Sequence, residues 1–538
     1  MKKLLLSFFI LFSISSFSQE DAWIYFNEKP NSEAYFSNPL TMLSQRALDR
    51  RTSQNIPLDD KDIPISEDFI AQVESANGIT VKAKSKWLNV VHVRGSAENI
   101  QSLSQLSFVS NVVFANKNLN PVTQGKSMAS NNSSRSNKTK DSQINYNYGN
   151  SNNQIEMLNG NLLHQQNFTG SGKIIAVLDA GFPGVNTAQP FAQLFANSKI
   201  LGGYNYVGRN NDIYSANNHG TLVLSTMGGY TENQLVGTAP DASYYLFITE
   251  DSTSENPIEE SLWVEAAEAA DSLGVDIINT SLGYFTYDNP NYSHTYENMN
   301  GTTTFIARGA DIAASRGMVV VVSAGNSGST ANPYISTPAD AVNVLTVGAV
   351  TATSEYASFS SIGPSFDGRV KPDVMAQGQN AVIANTSGDI LTANGTSFSA
   401  PITAGMVACL WQALPAKTSK EIIRLIKESA HLYENPNAQF GYGIPNFYEA
   451  LQAGLGIKDF PKEDFLVFPN PVESELLVMY PVDIKYAEIL IYNSLGQFVV
   501  RKDLLQGNKI SVNNLSSGIY FYQIYTSKKT ITGKLIKK

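Results

Sequence analysis

The segment "GTSFSAPITAGMVACLWQAL" at residues 395–414 carries the strongest signal for the fold. Small and apolar residues follow Pro401 at helical spacing, which predicts a buried helix that begins near Ser397. A proline fits the first turn of a helix, because the first four N–H groups have no partner inside it. Gly395 allows a sharp bend or a close backbone approach before the helix. Ser397 is therefore predicted at a helix N-terminus, where free N–H groups and the helix dipole favour negative charge.

A serine in this position has two interpretations. It is an N-cap if it acts alone, and it becomes a nucleophile only if a base lies beside it. Among the five histidines, His219 in "NNHGTLVLSTMGG" stands where a polar turn runs into a helix, and Gly220 leaves room for close packing. We interpret the other four as a residue on a strand surface, His92, and three solvated residues, His164, His294 and His431.

Two apolar runs end abruptly in a polar residue followed by small residues. "GKIIAVLDAGFPG" is typical of a buried parallel strand and places Asp179 at its carboxyl end. "GMVVVVSAGNSG" does the same for the amide of Asn326. Each segment alone is an ordinary turn signal. Because open α/β sheets place their sites at the carboxyl ends of strands, the combination with His219 and Ser397 favours one shared site.

Four segments, "VLDAG", "NNHGT", "VVSAGN" and "GTSFSAP", closely resemble in this order the signature segments of subtilisin-like serine proteases. The order Asp, His, Ser is that of the subtilisin family. The resemblance covers roughly residues 145 to 455. It implies a catalytic triad of Asp179, His219 and Ser397, with Asn326 as an oxyanion donor. Ala180 departs from the family, which usually has a small hydroxyl residue there, and we expect altered hydrogen bonding near Asp179.

Strand patterns alternate with amphipathic helices through residues 145–458, the expected peptidase domain. The strand candidates include "IIAVLD", "DIINTSLG", "MVVVVSAGN" and "VLTVGAV". This alternation predicts an α/β fold with a doubly wound parallel sheet and helices on both faces. Within it, Ser281, Leu282 and Gly283 match the family segment that lines the substrate cleft. Their backbone is expected to pair with an extended protein or peptide substrate.

Length, net charge and cysteine content limit which partners and cofactors we expect for this chain. The chain has 538 residues and a net charge of −9, so it is too long for one ordinary domain and too acidic for nucleic acid as its main partner. The single cysteine, Cys409, excludes an internal disulfide framework and is expected in the core. No Cys/His cluster suggests zinc. We expect no required cofactor and no metal ligand set; structural calcium is common in the family, but no clean ligand spacing supports it here.

The N-terminal part contains three predicted segments: a signal peptide, a propeptide-like unit and a linker. Residues 1–18, "MKKLLLSFFILFSISSFS", form a predicted signal peptide that is too short for a membrane span, and no other run predicts a transmembrane helix. Residues 19–116 show a small α+β pattern that resembles an inhibitory propeptide; an unrelated adhesion module is the alternative. Residues 117–144 are rich in Ser, Asn, Lys and Thr and are expected to form a flexible linker.

The C-terminal part, residues 462–538, has short alternating strands and is expected to be a small all-β sandwich. "PNP", "LIYNSLGQ" and "LSSGIYFYQI" resemble the sorting domains that direct proteins through the type IX secretion machinery of Bacteroidetes. A carbohydrate-binding or substrate-binding module is the alternative. The predicted location is the cell surface or the medium, reached through the periplasm and the outer membrane.

The predicted function is that of a secreted serine endopeptidase acting through an acyl-enzyme, with its own propeptide as an intramolecular inhibitor. Two alternatives stay open. One is a non-catalytic surface or adhesion protein on a protease fold, and the other is an esterase-type serine hydrolase. The sequence does not predict the side-chain preference of the substrate pocket.

Overall fold

The computed structural model describes residues 19–120, 146–456 and 466–538, apart from 469, 480–483, 485, 505–508 and 527–529. The predicted signal peptide and most of the predicted linker therefore lie outside the described residues. Within the described ranges, no helix has the length and the apolar character that a bilayer span requires.

The first unit is a four-stranded antiparallel sheet in the order β2-β3-β1-β4, with α3 and α4 packed on its core. Its strands are β1 (Gln19–Phe26), β2 (Thr80–Ser85), β3 (Val90–Ser96) and β4 (Val109–Phe114), and its helices are α1 (Ser32–Ser37), α2 (Gln45–Ser53), α3 (Glu67–Glu74) and α4 (Ala97–Ser102). The α+β pattern that the sequence predicts for this unit is confirmed, and the Ser66 side chain caps α3 by accepting the Phe69 N–H. The helix α2 was not predicted.

The central unit contains eleven strands and nine helices within the described residues. The strands are β5 (Ile174–Asp179), β6 (Ile200–Asn205), β7 (Tyr230–Thr231), β8 (Leu235–Val236), β9 (Ser243–Ile248), β10 (Ile277–Thr280), β11 (Val319–Ser323), β12 (Leu345–Val350), β13 (Val374–Gln377), β14 (Ala381–Ala384) and β15 (Ile390–Ala393). The helices are α5 (Asn152–Glu156), α6 (Gly160–His164), α7 (Ala192–Ala196), α8 (His219–Gly228), α9 (Ile258–Leu273), α10 (Phe305–Ser315), α11 (Thr396–Ala413), α12 (Ser419–Glu428) and α13 (Phe447–Gly454).

Seven of these strands form one parallel sheet in the order β13-β12-β11-β10-β5-β9-β6. Alternate residues of β5 show why helices cover both faces. Ile175 and Val177 belong to the core that includes α8 and α11, whereas Ala176 and Leu178 belong to the core that includes α9 and α10. Because successive side chains of a strand point to opposite faces, a strand that is apolar throughout must be buried on both. The predicted doubly wound α/β fold is confirmed.

The helix α11 begins at Thr396, one residue from the predicted start, with Gly395 at φ 153° as its N-cap. Pro401 does not lie in the first turn, as the sequence suggested, but inside the helix. Proline has no N–H, so the carbonyl of Ser397 four residues earlier has no partner within the helix. The Ser281 hydroxyl donates to this carbonyl at 2.9 Å. Pro401 thereby allows the β10–α11 contact that orients the start of α11.

The C-terminal unit consists of two antiparallel sheets, β16-β17-β20 and β19-β18-β21-β22. Its strands are β16 (Leu466–Phe468), β17 (Glu475–Met479), β18 (Ala487–Asn493), β19 (Phe498–Leu504), β20 (Lys509–Ser511), β21 (Gly518–Thr526) and β22 (Thr530–Lys537). Buried residues from both sheets share one apolar cluster, which includes Val478, Ile489 and Ile524. Two sheets that pack on a common core form the predicted sandwich.

Candidate active site

Asp179 and His219 meet at the carboxyl end of the central sheet. Asp179 is the last residue of β5 and is fully buried, and His219 is the first residue of α8. The Nδ1 atom of His219 lies 2.7 Å from Oδ1 of Asp179, which also accepts the Ala180 N–H at 2.8 Å. A methyl group at Gly220 would lie 2.5 Å from the Gly181 carbonyl oxygen and 3.0 Å from Cβ of Asp179. The predicted role of Gly220 in close packing is confirmed.

This contact determines the protonation of the imidazole. An ionised carboxylate only accepts hydrogen bonds, so Nδ1 of His219 carries the proton and Nε2 is the acceptor in the neutral ring. Burial of the imidazole lowers the pKa of His219, but the charge of Asp179 and the hydrogen bond to it outweigh burial, and the pKa lies above its ordinary value. The His219 side chain keeps 31% of its surface exposed, so Nε2 can meet a substrate.

The second carboxylate oxygen of Asp179 has an unusual environment. Oδ2 is buried and accepts no hydrogen bond from any described residue. The neighbouring Ala180 has no hydroxyl to offer. The absence of a partner agrees with the altered hydrogen bonding that the sequence predicted at this position. A buried carboxylate oxygen without a donor is costly, because it loses water without replacement.

Ser397 lies at the first turn of α11 and is nearly buried. Its Oγ lies 3.4 Å from the Ser281 carbonyl oxygen, and no hydrogen bond joins it to His219 among the described residues. The ring of Phe398, the next residue, lies 6.2 Å from the His219 imidazole, so the start of α11 lies beside the candidate base. The structure thus brings Asp179 and His219 into contact and places Ser397 nearby, with its hydroxyl turned to Ser281.

Two hydrogen-bond donors lie beside Gly395. Oδ1 of Asn326 accepts the Thr396 N–H at 2.9 Å and the Thr396 hydroxyl at 3.1 Å. This pairing fixes the amide orientation and leaves Nδ2 as the free donor. A methyl group at Gly395 would lie 3.7 Å from that Nδ2 and 3.6 Å from the Ser397 nitrogen. Neither nitrogen donates to any acceptor in the described part of the chain.

The segment 281–283 follows β10 at the same edge of the sheet. Ser281 donates to the Ser397 carbonyl, as described above, which fixes the segment to α11. A methyl group at Gly283 would lie 2.3 Å from the Ser336 hydroxyl, so a larger residue there would have to displace that side chain. The backbone groups of Leu282 and Gly283 form no hydrogen bond with another described residue. They are therefore free to pair with an added extended strand.

Sequence reasoning missed two residues of this region. Thr396 positions the Asn326 amide, and its place directly before Ser397 was the only available signal. Glu250 follows β9, and the Tyr284 hydroxyl donates to its carboxylate. Burial, and then the nearby Glu259, raise the pKa of Glu250 well above its ordinary value. The strand-end rule that identified Asp179 would also have found Glu250 if the strand "SYYLFI" had been recognised.

The structure corrects the predicted surroundings of three other histidines, His164, His294 and His92. His164 is not solvated but fully buried, since its ring bonds the Tyr148 hydroxyl at 2.9 Å and the Thr238 carbonyl at 3.0 Å. Burial lowers its pKa to about 4, so this ring is neutral and structural. His294 is largely buried against Glu260, at 2.7 Å. His92 does lie in a strand, but it is buried rather than on a strand surface.

Potential metal ligands do not gather in the described ranges. No group of three or more His, Cys, Asp or Glu side chains that could hold an ion is found there. Cys409 is buried, as predicted, and its thiol lies 3.1 Å from the Thr238 carbonyl oxygen.

The fold and the family comparisons together define the class of protein: a serine-type endopeptidase built on a doubly wound parallel sheet. The chain belongs to the subtilase family, whose family model matches residues 170–443. A second model, the peptidase S8 propeptide domain of Bacteroidota, matches residues 21–136. A third, the secretion system C-terminal sorting domain, matches residues 466–538. The protein is therefore a zymogen-type protease that the type IX system exports to the cell surface or the medium.

Individual relatives agree with this assignment. Subtilisin NAT of Bacillus subtilis subsp. natto is 30% identical over 301 residues, which cover 55% of this chain and 70% of that protein. Subtilisin E of Bacillus subtilis (strain 168) gives the same values. Serine protease AprX of the same strain is 31% identical over 312 residues, covering 52% of this chain and 66% of that protein. Among solved structures, MycP1 with its N-terminal propeptide removed matches with a TM-score of 0.45 and 23% identity, over 57% of this chain and 98% of that one.

Proposed function

We propose that this protein hydrolyses peptide bonds by way of an acyl-enzyme formed on Ser397. The observation that carries the proposal is the 2.7 Å contact between His219 and Asp179 at the end of β5, beside the first turn of α11. A hydroxyl needs an adjacent base to become a nucleophile. Among the described histidines that are paired with a carboxylate, His219 is the most exposed, at 31% of its side chain against 10% for His294 and 1% for His92.

In the proposed reaction, the Ser397 hydroxyl turns from Ser281 to His219 when the substrate binds. Oγ attacks the scissile carbonyl carbon while Nε2 of His219 takes the hydroxyl proton, and the carbonyl electron pair moves to oxygen. The intermediate collapses by expelling the amine, which receives that proton from His219. A water molecule then attacks the ester in the same way and releases the acid. Asp179 holds the imidazole tautomer and stabilises the cation throughout.

The negative oxygen of the tetrahedral intermediate is proposed to bind two donors, Nδ2 of Asn326 and the N–H of Ser397. The support is that both nitrogens lie beside Gly395 and donate to no described residue. Donors that are fixed before the reaction stabilise a developing charge without reorganisation. Thr396 supplies this fixation for the amide, since it donates twice to Oδ1 of Asn326. The proposed chemistry uses only groups of the chain itself and one water molecule.

The substrate is proposed to be an extended protein or peptide segment that pairs with the free backbone groups of Leu282 and Gly283. Main-chain pairing supplies affinity without reading the side chains. The other proposed partners are the enzyme's own propeptide, as an intramolecular inhibitor, and the type IX secretion machinery. The proposed units are a signal peptide at 1–18, a propeptide at 19–116, a linker at 117–144, the peptidase domain at 145–458 and the sorting domain at 462–538.

Labelling with a fluorophosphonate probe tests the nucleophile. The mature enzyme should react at Ser397, and peptide mapping should locate the adduct there. Ser397→Ala should keep its fold, because loss of one hydroxyl near a helix start costs about 1 kcal/mol, but it should not label and should not cleave casein. It should also accumulate with residues 19–116 attached, as N-terminal sequencing would show, if the first cut is autocatalytic.

The matched control is Ser399→Ala, two residues further along the same helix. Ser399 is buried and its hydroxyl donates to the Thr396 carbonyl at 3.1 Å, away from the proposed chemistry. This variant should label and cleave casein. Hydrolysis of casein by Ser397→Ala would reject Ser397 as the nucleophile. A labelled wild type that cleaves esters but not casein would favour the esterase alternative.

A further inference from the structure

The outer face of one sheet in the C-terminal unit carries exposed aromatic rings. This sheet has the order β19-β18-β21-β22, and its inner face contributes Ile489 and Ile524 to the core of the sandwich. Because successive side chains of a strand point to opposite faces, Tyr492 on β18 and Phe521 on β21 lie on the outer face. Phe498 and Phe521 are 55% and 48% exposed. Contiguous exposed apolar surface of this kind marks binding sites, whereas single exposed residues do not.

The strand register places these rings side by side. Tyr492 is the cross-strand partner of Phe498 on β19 and of Phe521 on β21. The rings of Tyr492 and Phe498 lie 6.2 Å apart between their centroids. We call Phe498, Tyr492 and Phe521 the aromatic row. The next partner across the sheet is Lys534 on β22, beside Phe521, so the row ends at an ammonium group.

Polar groups lie directly beside the aromatic row. They share with it a groove of about 680 Å³, whose lining includes Tyr492, Phe521, Gln523, Thr532 and Lys534. Two hydroxyls fix the Gln523 side chain, since its Oε1 accepts from Tyr492 at 3.3 Å and from Tyr525 at 2.8 Å. This leaves Nε2 of Gln523 as a donor of fixed orientation, without an acceptor in the described part of the chain.

The groove combines the groups that recognise a sugar ring. The face of an aromatic ring carries partial negative charge, which attracts the C–H groups on the apolar face of a pyranose. The Nε2 donor of Gln523 and the hydroxyl of Thr532 suit the hydroxyls at the edge of the sugar. Binding sites for small ligands have this composition, with aromatic lining and a few placed polar groups.

The same composition distinguishes a sugar from a protein partner. The cores of protein interfaces are depleted in charged residues, lysine among them. Here Lys534 lies in the groove beside Phe521, and Gln523 and Thr532 follow two residues along the strands. Apolar surface continues on the other side of the row, at Ile519. A sugar ring needs only one apolar strip, because its hydroxyls project towards polar groups beside that strip.

The charge of the unit favours an acidic sugar. The segment that matches the sorting-domain model contains nine Lys and Arg and five Asp and Glu, a net charge of +4 in a chain whose net charge is −9. On the outer face, Arg501 pairs with Glu488, and Asp503 lies on β19, at the edge of the sheet opposite to β22. Among the described residues of this face, Lys534 is the cation without an ionic partner. Its ammonium can therefore bind a carboxylate of the ligand.

We propose that the groove binds a polysaccharide that contains uronic acids. One sugar ring stacks on Phe521, its hydroxyls accept from Nε2 of Gln523, and its carboxylate binds Lys534. The site would hold the full chain on such a polymer, which is a role separate from peptide hydrolysis. The proposal does not depend on the proposed function, because none of the proposed catalytic groups lies in the C-terminal unit.

The test measures binding of the full chain with Ser397→Ala, so that proteolysis does not interfere, to immobilised polygalacturonate by biolayer interferometry. Dextran, a neutral polysaccharide, and poly-L-glutamate, a polyanion without sugar rings, serve as comparison probes. Salt at about 0.15 M screens the acidic remainder of the chain beyond about 8 Å. Polygalacturonate should bind at least tenfold more tightly than either comparison probe. Equal affinity for poly-L-glutamate, equal or higher affinity for dextran, or no binding to polygalacturonate would overturn the proposal.

Substitutions at Phe521 and Lys534 locate the site. Phe521→Ala should weaken binding to polygalacturonate about tenfold, and Phe521→Leu should do nearly the same because it keeps apolar volume but lacks a ring. Phe521→Tyr should bind within threefold of the unsubstituted chain. Lys534→Gln should weaken binding about fivefold and reduce its dependence on salt. The control is Tyr486→Ala, which removes an aromatic residue that is 53% exposed outside the groove.

The ring and the cation are tested separately. Because Phe521 is half exposed, its variants should fold, and their affinities can be compared directly with that of Tyr486→Ala. Affinities of Phe521→Ala and Phe521→Leu within threefold of the control would reject the groove as the binding site. Loss of export in Phe521→Ala together with unchanged binding of polygalacturonate would assign the aromatic row to a protein partner instead, which also contradicts the proposal.

Discussion

Replacement of Asn326 by leucine tests the oxyanion site most directly. Leucine has nearly the size of asparagine but neither donates nor accepts, so the variant loses Nδ2 while the Ser397 N–H remains. We expect kcat to fall by about 10²–10³, or roughly 3–4 kcal/mol, with KM almost unchanged. This is the magnitude known for removal of one oxyanion donor in a subtilisin. The remaining donor and the intact base should preserve measurable activity.

The structure provides a control for a purely structural effect. Oδ1 of Asn326 also accepts two hydrogen bonds from Thr396, so leucine at position 326 frees the residue before Ser397. Thr396→Val removes the hydroxyl, which binds Oδ1 at 3.1 Å and accepts the Gly325 N–H at 3.2 Å, but it keeps the backbone bond to Oδ1. At about 1 kcal/mol for each lost bond, kcat should fall about 30-fold at most.

The assay is steady-state cleavage of a chromogenic peptide by mature enzyme, with the active fraction determined by fluorophosphonate titration. A kcat within threefold of wild type would remove Asn326 from the mechanism. An equal fall in kcat in Thr396→Val and Asn326→Leu would refute the donor role and assign Asn326 to positioning alone. A rise in KM with an unchanged kcat would mean that the amide binds the substrate in its ground state.

Three further predictions concern the base, its carboxylate and the sorting domain. Because His219 must be neutral to accept a proton and its pKa is raised, the acid limb of kcat/KM should lie above pH 6.5, whereas a profile that falls steadily from pH 5 to 9 would contradict this. Ala180→Ser should give Oδ2 of Asp179 a donor and raise the free energy of unfolding by about 1 kcal/mol in urea titrations; a less stable variant would refute the assignment. Deletion of residues 462–538 should trap an active peptidase in the periplasm, and normal secretion of that truncation would argue against the sorting role.

Much of the fold could be predicted from the sequence, because the patterns that indicate strands and helices lie in short segments of adjacent residues. A short apolar run without alternation that ends in small residues is typical of a strand buried on both faces, and helical patterns between such runs favour a parallel sheet. The same logic placed Asp179 at a strand end, where the structure finds it against His219. Gly220 could be interpreted in advance because a glycine behind a polar residue permits close approach.

The helix α2 shows where local signals fail. Helix α2 has the sequence "QRALDRRTS", in which the two buried residues Arg50 and Arg51 look like solvated charges. Their burial depends on Asp271, which lies far along the chain and in another domain. His164 was misjudged for the same reason, since its partners Tyr148 and Thr238 come from separate segments. A polar side chain is buried when a partner elsewhere satisfies it, and the neighbouring sequence does not record that partner.

The sequence by itself determined the class of fold, the order of the domains and the identity of the candidate catalytic residues, because hydrophobic periodicity and short motifs are properties of adjacent residues. Only the tertiary structure decided that the Ser397 hydroxyl faces Ser281, that Thr396 orients the Asn326 amide, and that Arg46 of α2 donates to the Gly274 carbonyl at the end of α9. These features depend on distances between residues that the chain separates by tens to hundreds of positions. Such distances are fixed by packing and hydrogen-bond geometry, which act only after the chain has folded.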